Sequence, residues 1–184
     1  MLVEELITSL LPYAPDLGLY TAPRIPTRKL QRALKEFAPS VSPRDVLALY
    51  DATRMGTAGD GILFTRGALY YQNHNFQEPR TISYREIVGA EIVHSFLKGT
   101  RLRVAVNPGH VTATHELDFS VHPKAASYVK RLLDELAILK ESDELSSEAT
   151  DWEVVEKTLQ SLVEQGLLSS YDFERILQVG KRGT

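Results

Sequence analysis

The chain has 184 residues, of which 43% are hydrophobic and 24% charged, and its mean hydropathy of −0.18 is that of a soluble folded protein. The formal net charge of −3 argues against a dedicated nucleic-acid-binding protein, because such proteins neutralise phosphates with excess positive charge. Cysteine is absent, which excludes disulfides, thiolate metal sites and a cysteine nucleophile, and we expect a cytoplasmic protein.

Residues 1–41 are predicted to form a helical N-terminal arm. Apolar residues recur at helical spacing before Pro12 and again after Thr27, which indicates two amphipathic helices. The segment between them holds four prolines, and we expect it to lie extended over the protein without forming an element of its own. An arm of about forty residues cannot sustain a separate core, so it should pack on the domain that follows.

From residue 42 the hydrophobic period changes from that of a helix to that of a strand, which predicts an antiparallel β domain over residues 42–140. The last strand alternates most regularly, with Val111, His115 and Phe119 on the face predicted to be buried. Glycine-containing turns are predicted at Gly56–Gly61, Lys98–Gly99 and Asn107–Gly109. The predicted strands are Val46–Thr53, Gly61–Arg66, Ala68–Asn73, Arg80–Tyr84, Ile87–Phe96, Thr100–Val106 and Val111–Val121.

A helix is predicted over residues 123–139, because Pro123 suits the first helical position and the apolar residues after it share one face. This face needs a partner, and the open end of the preceding strands is the nearest apolar surface. The predicted core therefore combines strand and helix residues: Leu47, Leu49, Ile62, Phe64, Leu69, Tyr71, Ile82, Tyr84, Leu102, Val104, Leu117, Phe119, Leu132 and Leu136.

Residues 141–150 are predicted to form an acidic linker. Between Glu141 and Gln165 the chain has eight acidic residues and one basic residue, and the polar composition of the first ten is typical of a linker. Beyond it, a capping box opens one helix and Ser169 caps a second, which predicts a helical hairpin over residues 151–179. A hairpin of that size rarely folds alone, so it should dock or self-associate.

The order of seven strands followed by one amphipathic helix resembles the pleckstrin-homology-like (PH-like) barrel. The runs Asp51–Thr65, Gly67–Tyr71 and Ile82–Ile87 are similar to a pattern of bacterial PH-like and GRAM-like domains. Leu159–Leu177 is similar to the C-terminal helical hairpin called SHOCT. The resemblance implies an α+β fold in which a seven-stranded antiparallel β-barrel is capped by a C-terminal helix. It also implies a scaffold or oligomerisation module.

A small basic patch is the first candidate site. Arg101 and Arg103 alternate with apolar residues on one strand, Lys98 lies in the adjoining turn, and Arg54 is the one basic residue where PH domains carry their inositol-phosphate motif. That motif is otherwise absent. The four residues could bind an anionic partner; alternatively, the two strand arginines pair with carboxylates such as Glu116 and Asp118 on the neighbouring strand.

The second candidate site is an association surface on the tail hairpin, formed by its apolar residues Trp152, Leu159, Leu162, Phe173 and Ile176. Such a surface is too apolar to remain in water, so it should contact either the same chain or another copy. A protein partner or a homo-oligomer is therefore expected, whereas a nucleic-acid partner is not.

No catalytic, cofactor-binding or metal-ligating residues are predicted. Five histidines are present without a spacing that converges two rings, and only His115 is predicted inside the barrel. Asp51 and Asp60 flank a glycine-rich turn, where aspartate is favoured for hydrogen bonds to the backbone. The sequence therefore predicts a non-enzymatic interaction or scaffold protein; the alternative is a lipid-surface or small-ligand module that uses the barrel mouth.

Overall fold

The structure of the protein is a computed structural model that describes residues 3–74, 77–109, 111–164, 169 and 172–173. The chain divides into two compact units, Met1–Leu139 and Lys140–Thr184. Both sheets and the N-terminal helices belong to the first unit.

Within the described residues, eight strands form two antiparallel sheets. The five-stranded sheet has the order β1-β2-β3-β4-β5, and its strands are β1 (Leu19–Thr21), β2 (Ala48–Asp51), β3 (Gly61–Phe64), β4 (Ala68–Gln72) and β5 (Arg80–Ser83). The three-stranded sheet has the order β6-β7-β8, and its strands are β6 (Ile87–Ser95), β7 (Gly99–Val106) and β8 (Ala113–Asp118). Seven of the eight therefore fall on the segments predicted from the sequence.

The prediction of a closed barrel is wrong, because neither junction between the sheets carries a strand pair in the described part of the chain. At one junction, β5 ends in the short 3₁₀ helix Tyr84–Glu86, which takes the chain out of the ladder before β6 begins. At the other junction, the backbone of β8 forms hydrogen bonds with the side chain of Asn73 and not with a strand of the five-stranded sheet. The amide of Asn73 donates to the Glu116 carbonyl (2.7 Å) and accepts from the Asp118 amide (2.9 Å).

The main core lies between the two sheets, and all fourteen core residues predicted from the sequence are buried. Helix α1 (Val3–Leu10) and the first turns of helix α3 (Ala125–Glu164) contribute to the same core. From α1 come Leu6 and Ile7, and from α3 come Val129, Leu132 and Leu136. Because α1 contributes Leu6 and Ile7 to the core shared by the two sheets, the N-terminal arm is part of this unit's core, as predicted.

A second core lies on the outer face of the five-stranded sheet, where helix α2 (Thr27–Phe37) packs. Ala33 and Phe37 of α2 meet Leu49 of β2 and Leu63 of β3. The opposite faces of the same strands belong to the main core, through residues such as Tyr50 and Phe64. β2 and β3 are therefore buried on both faces, which removes the alternation expected of a half-exposed strand.

Two further details differ from the predictions. The proline-rich segment forms an element after all, because Leu19–Thr21 pairs with β2 as strand β1. Val111, predicted to be buried, is 68% exposed, since β8 begins only at Ala113.

Helix α3 is continuous from Ala125 to Glu164 and so passes through residues 141–150, the predicted linker. The physical reason is local: the segment contains neither glycine nor proline, so nothing in it breaks the helix that begins at residue 125. Within the described part of the chain, no helix is both long and apolar enough to cross a membrane.

Candidate functional site

The connection between β6 and β7 places two apolar side chains entirely in solvent. We name its residues Phe96, Leu97 and Lys98 the hairpin tip. The relative exposure of Phe96 is 103% and that of Leu97 is 90%, and Lys98 is also exposed. Transfer of such side chains out of water is worth about 1.5–3 kcal/mol each, so a folded protein normally buries them. Two adjacent ones at the end of a hairpin indicate a contact surface.

The backbone of the hairpin tip is held in place by hydrogen bonds, so its exposure does not reflect a lack of local structure. The Lys98 amide donates to the Ser95 hydroxyl (3.3 Å), and the Lys98 carbonyl accepts from the Ser120 hydroxyl (3.0 Å). Gly99 has a φ of 69°, and a Cβ there would collide with Ser120. Only glycine therefore fits at position 99, where the hairpin tip joins β7.

The four residues of the predicted basic patch fall into two groups. Arg101 and Arg103 lie directly opposite Asp118 and Glu116 in the ladder and form ion pairs with them, at 3.4 Å and 3.0 Å respectively. Arg54 and Lys98 lie on two loops and are exposed. The positive charge available to an anionic partner is therefore on the loops, and the strand arginines follow the alternative pairing predicted from the sequence.

Arg54 belongs to the loop 52–60, which is tied to the sheet by the buried carboxylate of Asp51. Asp51 is 2% exposed, and it accepts hydrogen bonds from the Thr53 amide (2.9 Å), the Thr53 hydroxyl (2.5 Å) and the Lys29 ammonium (2.5 Å). Lys29 also donates to the carbonyl of Gly56 on the same loop. Burial lowers the pKa of Lys29, but the hydrogen bond and charge of Asp51 outweigh it, so the pKa is raised.

The far end of this loop is fixed by Gly61, which begins β3. Its φ is 148°, and a Cβ at this position would collide with the Tyr50 carbonyl of the neighbouring strand. Asp51 and Asp60, considered in the sequence as a carboxylate pair, thus have separate roles. Asp51 holds Lys29 and Thr53, whereas Asp60 accepts a hydrogen bond from Gln72 (3.4 Å), and burial raises its pKa.

His115 is half-buried on β8, where its Nδ1 lies 2.9 Å from the hydroxyl of Tyr71 on the facing sheet. Burial lowers the pKa of His115 below its ordinary value of 6.5, and the positive charge of Arg80 lowers it further, while Glu86 acts in the opposite sense. The contact joins the two sheets through a neutral imidazole. Among the described residues, no group of three or more His, Cys, Asp or Glu side chains could hold a metal ion.

This lowered pKa predicts a pH dependence of stability. Because the unfolded chain binds a proton near pH 6.5 more readily than the folded one, the stabilising contribution is complete above that pH and decreases as the pH falls towards the folded pKa. His115→Gln should therefore lose less stability than the wild type between pH 7.5 and pH 5.5, as measured by urea unfolding at both pH values. Equal losses in the two proteins would contradict this role for His115.

A shallow cleft of about 280 Å³ lies elsewhere, and its lining includes Ser42, Thr65 and Tyr70. Its one cation, Arg66, is paired with Glu4 of α1 at 2.8 Å. The small-ligand alternative placed its site in a barrel mouth, and the two sheets do not close into a barrel.

Little of the predicted association surface lies within the described residues. Leu159 on α3 and Phe173 are partly exposed, while nothing is described for the side chains of Trp152, Leu162 and Ile176. Ser169 is placed as a cap, as predicted, since its hydroxyl accepts a hydrogen bond from the Asp172 amide (3.1 Å).

Comparisons of the chain with protein-family models, curated proteins and solved structures gave no match. The resemblances to PH-like, GRAM-like and SHOCT sequences therefore have no support beyond the residues that suggested them, and the site must be interpreted from its own geometry.

Sequence reasoning missed Phe96 and Leu97, which are the most exposed apolar residues described. It assigned Phe96 to the end of a strand and Lys98 to a basic patch. A signal was present, because two large apolar residues directly precede the Lys98–Gly99 turn, where polar residues are usual.

Proposed function

We propose that this chain is a non-enzymatic docking protein that attaches to a membrane surface through its hairpin tip. The tail, residues 151–179, serves as an association element that joins copies of the chain. The membrane would be contacted from its cytoplasmic side, which agrees with the absence of cysteine. The exposure of Phe96 and Leu97 carries this proposal.

The shape and charge of the tip favour a lipid surface over a protein pocket. The tip is the end of a hairpin, so it is convex, and a bilayer accepts an apolar projection without a matching cavity. Lys98 follows the two apolar residues, where its ammonium can lie among anionic headgroups, an attraction worth about 1 kcal/mol for each cation near such a surface. A protein partner would instead need a pocket that encloses Phe96.

The expected affinity of a single tip is low. Burial of two apolar side chains provides about 3–6 kcal/mol at most, which corresponds to a dissociation constant of roughly 40 μM or weaker and at best matches a single lipid anchor. Stable attachment therefore needs a second signal. Association of copies through the tail would supply it, because linked tips bind with a raised effective concentration.

The double variant Phe96→Ser/Leu97→Ser should lose at least tenfold in its partition onto lipid vesicles, because both inserted side chains become polar. The measurement is co-sedimentation of the full-length protein with vesicles of phosphatidylcholine and phosphatidylserine. Since both side chains lie in solvent, thermal unfolding of the variant should match that of the wild type.

Val88→Ser is the matched control. Val88 is 56% exposed on β6, seven residues before Ser95, and so lies about 23 Å from the hairpin tip along the strand. It should leave partition unchanged. If both variants bound vesicles as well as the wild type, or if the wild type did not bind, the proposed function would be wrong.

A further inference from the structure

The loop 52–60 repeats the arrangement of the hairpin tip. Met55 is 86% exposed, and its neighbour Arg54 is exposed beside it. In the tip, Leu97 and Lys98 form the same combination of an apolar side chain in water and an adjacent cation. Within the described residues, neither Arg54 nor Lys98 forms an ion pair.

The loop presents Met55 from a fixed backbone. Lys29 on α2 bonds both to Asp51 before the loop and to the carbonyl of Gly56 within it. The Thr53 hydroxyl accepts a hydrogen bond from the amide of Thr57 (2.7 Å), which closes the turn around residues 54 and 55. The side chain of Met55 therefore projects from a braced turn, as the tip does from its hairpin.

The hairpin tip and the start of the loop 52–60 are connected through the short segment 118–122 and Gly18. On one side, the Ser120 hydroxyl donates to the Lys98 carbonyl of the tip (3.0 Å). Two residues later, the His122 ring lies against Gly18, within 2.9 Å of where a Cβ on that glycine would be. The carbonyl of Gly18 in turn accepts a hydrogen bond from the amide of Asp51 (2.8 Å), the residue directly before the loop 52–60.

This succession of contacts places the two loops at one end of the first unit. Two residues of extended chain span about 7 Å, so the bases of the loops are separated by on the order of 15 Å. Both can therefore reach the same flat surface. Val88, by contrast, lies at the opposite end of β6 from the hairpin tip.

The charges at this end are of both signs, and within the described residues the buried or half-buried carboxylates differ from the exposed groups in having partners. Asp51 and Asp118 are matched by Lys29 and Arg101, respectively. Asp60 is half-buried at the base of the loop, and burial raises its pKa. Among the remaining exposed groups are the cations Arg54, Lys98 and Lys124 and the carboxylate Asp16. The two cations next to exposed apolar side chains, Arg54 and Lys98, are thus the ones placed to meet headgroups.

We infer that Arg54 and Met55 form a second lipid contact beside the hairpin tip, and that the pair of loops selects a membrane carrying anionic headgroups. This inference rests on the proposed function, and it names both the lipid class and the residues that recognise it. Met55 enters the apolar layer together with Phe96 and Leu97, while Arg54 and Lys98 meet headgroup phosphates and carboxylates.

The test uses the full-length protein with two vesicle compositions, phosphatidylcholine alone and phosphatidylcholine with phosphatidylserine at three to one. Met55→Ser should lower partition about five- to tenfold on the mixed vesicles, and lower it on neutral vesicles as well. Arg54→Gln should lower partition about fivefold on the mixed vesicles only, and it should weaken the dependence of binding on salt. Neither variant should alter thermal unfolding, because both side chains are exposed.

Val88→Ser and Arg44→Gln are the matched controls, since Val88 and Arg44 are an exposed apolar residue and an exposed cation away from this end. If Met55→Ser and Arg54→Gln behaved like these controls while the tip variant lost binding, the inference would fail and the proposed function would stand. Absence of wild-type binding to both vesicles would overturn both. Full competition by soluble glycerophosphoserine would overturn the inference, because the protein would then recognise a free anion and not a membrane surface.

Discussion

Deletion of residues 1–40 should leave a chain that is insoluble or unfolds without a cooperative transition. Among the large buried side chains that the deletion removes are Leu6, Ile7, Leu11, Leu19 and Phe37. At about 1.5–3 kcal/mol each, their burial amounts to about 8–15 kcal/mol. This is as large as the whole stability of an ordinary domain, about 5–15 kcal/mol.

The deletion also removes β1 from the edge of β2 and removes α2 from the outer face of the sheet, so Leu49 and Leu63 would meet water. Solubility and circular dichroism melting measure the effect. Phe96→Ser/Leu97→Ser serves as the control, because it removes two apolar side chains that are already in solvent and should change stability by less than about 0.5 kcal/mol. An unchanged melting curve after the deletion would show that the arm is a free tether.

Asp51→Ala should destabilise the protein by about 3–5 kcal/mol, because it leaves Lys29 without its anionic partner and Thr53 without an acceptor. The side chain of Lys29 keeps 18% of its exposure, so water can solvate part of the freed charge, and the lower end of that range is expected. The measurement is urea unfolding at pH 7.

Asp51→Asn should cost less, about 1–3 kcal/mol, because the amide oxygen can still accept the bond from Thr53. Asp45→Ala replaces an exposed carboxylate and should change stability by no more than about 0.5 kcal/mol. A loss below about 1 kcal/mol for Asp51→Ala would mean that the loop 52–60 does not depend on this ion pair.

Seven of the eight described strands could be predicted, because the turn residues between them act locally. β3, β4 and β5 begin at the residues expected from the sequence, and β6 ends within one residue of its predicted end. β1 could not be predicted, because a three-residue strand between prolines carries no periodicity. Its formation depends on pairing with β2, which lies nearly thirty residues later in the chain.

Closure of the sheets could not be read from the sequence for a similar reason. Strand number and order are local properties, but closure depends on what meets the edges of β5 and β8. The Tyr84–Glu86 turn interrupts one edge, and the side chain of Asn73 occupies the other. In the sequence, Tyr84–Glu86 looks like an ordinary turn and Asn73 like an ordinary strand end, so neither predicts that the sheets stay open.

Only part of the candidate site could be predicted from the sequence, because the sequence does not show which charges are paired or which apolar side chains are exposed. Sequence patterns identify charged residues on strands, so Arg101 and Arg103 were noticed, but the carboxylates opposite them neutralise both. The exposure of Phe96, Leu97 and Met55 follows from three-dimensional packing, because hydrophobicity alone predicts burial.

Because the chain has no cysteine, insertion of the hairpin tip into a bilayer can be measured directly with a single introduced label. Leu97→Cys labelled with an environment-sensitive fluorophore places a single probe at the tip, and Val88→Cys places the same probe about 23 Å away on β6. On vesicles containing phosphatidylserine, the probe at residue 97 should shift to shorter wavelength and be quenched by brominated acyl chains, while the probe at residue 88 should do neither. Equal emission from residue 97 with and without vesicles, and no quenching by brominated lipid, would show that the hairpin tip does not enter the bilayer.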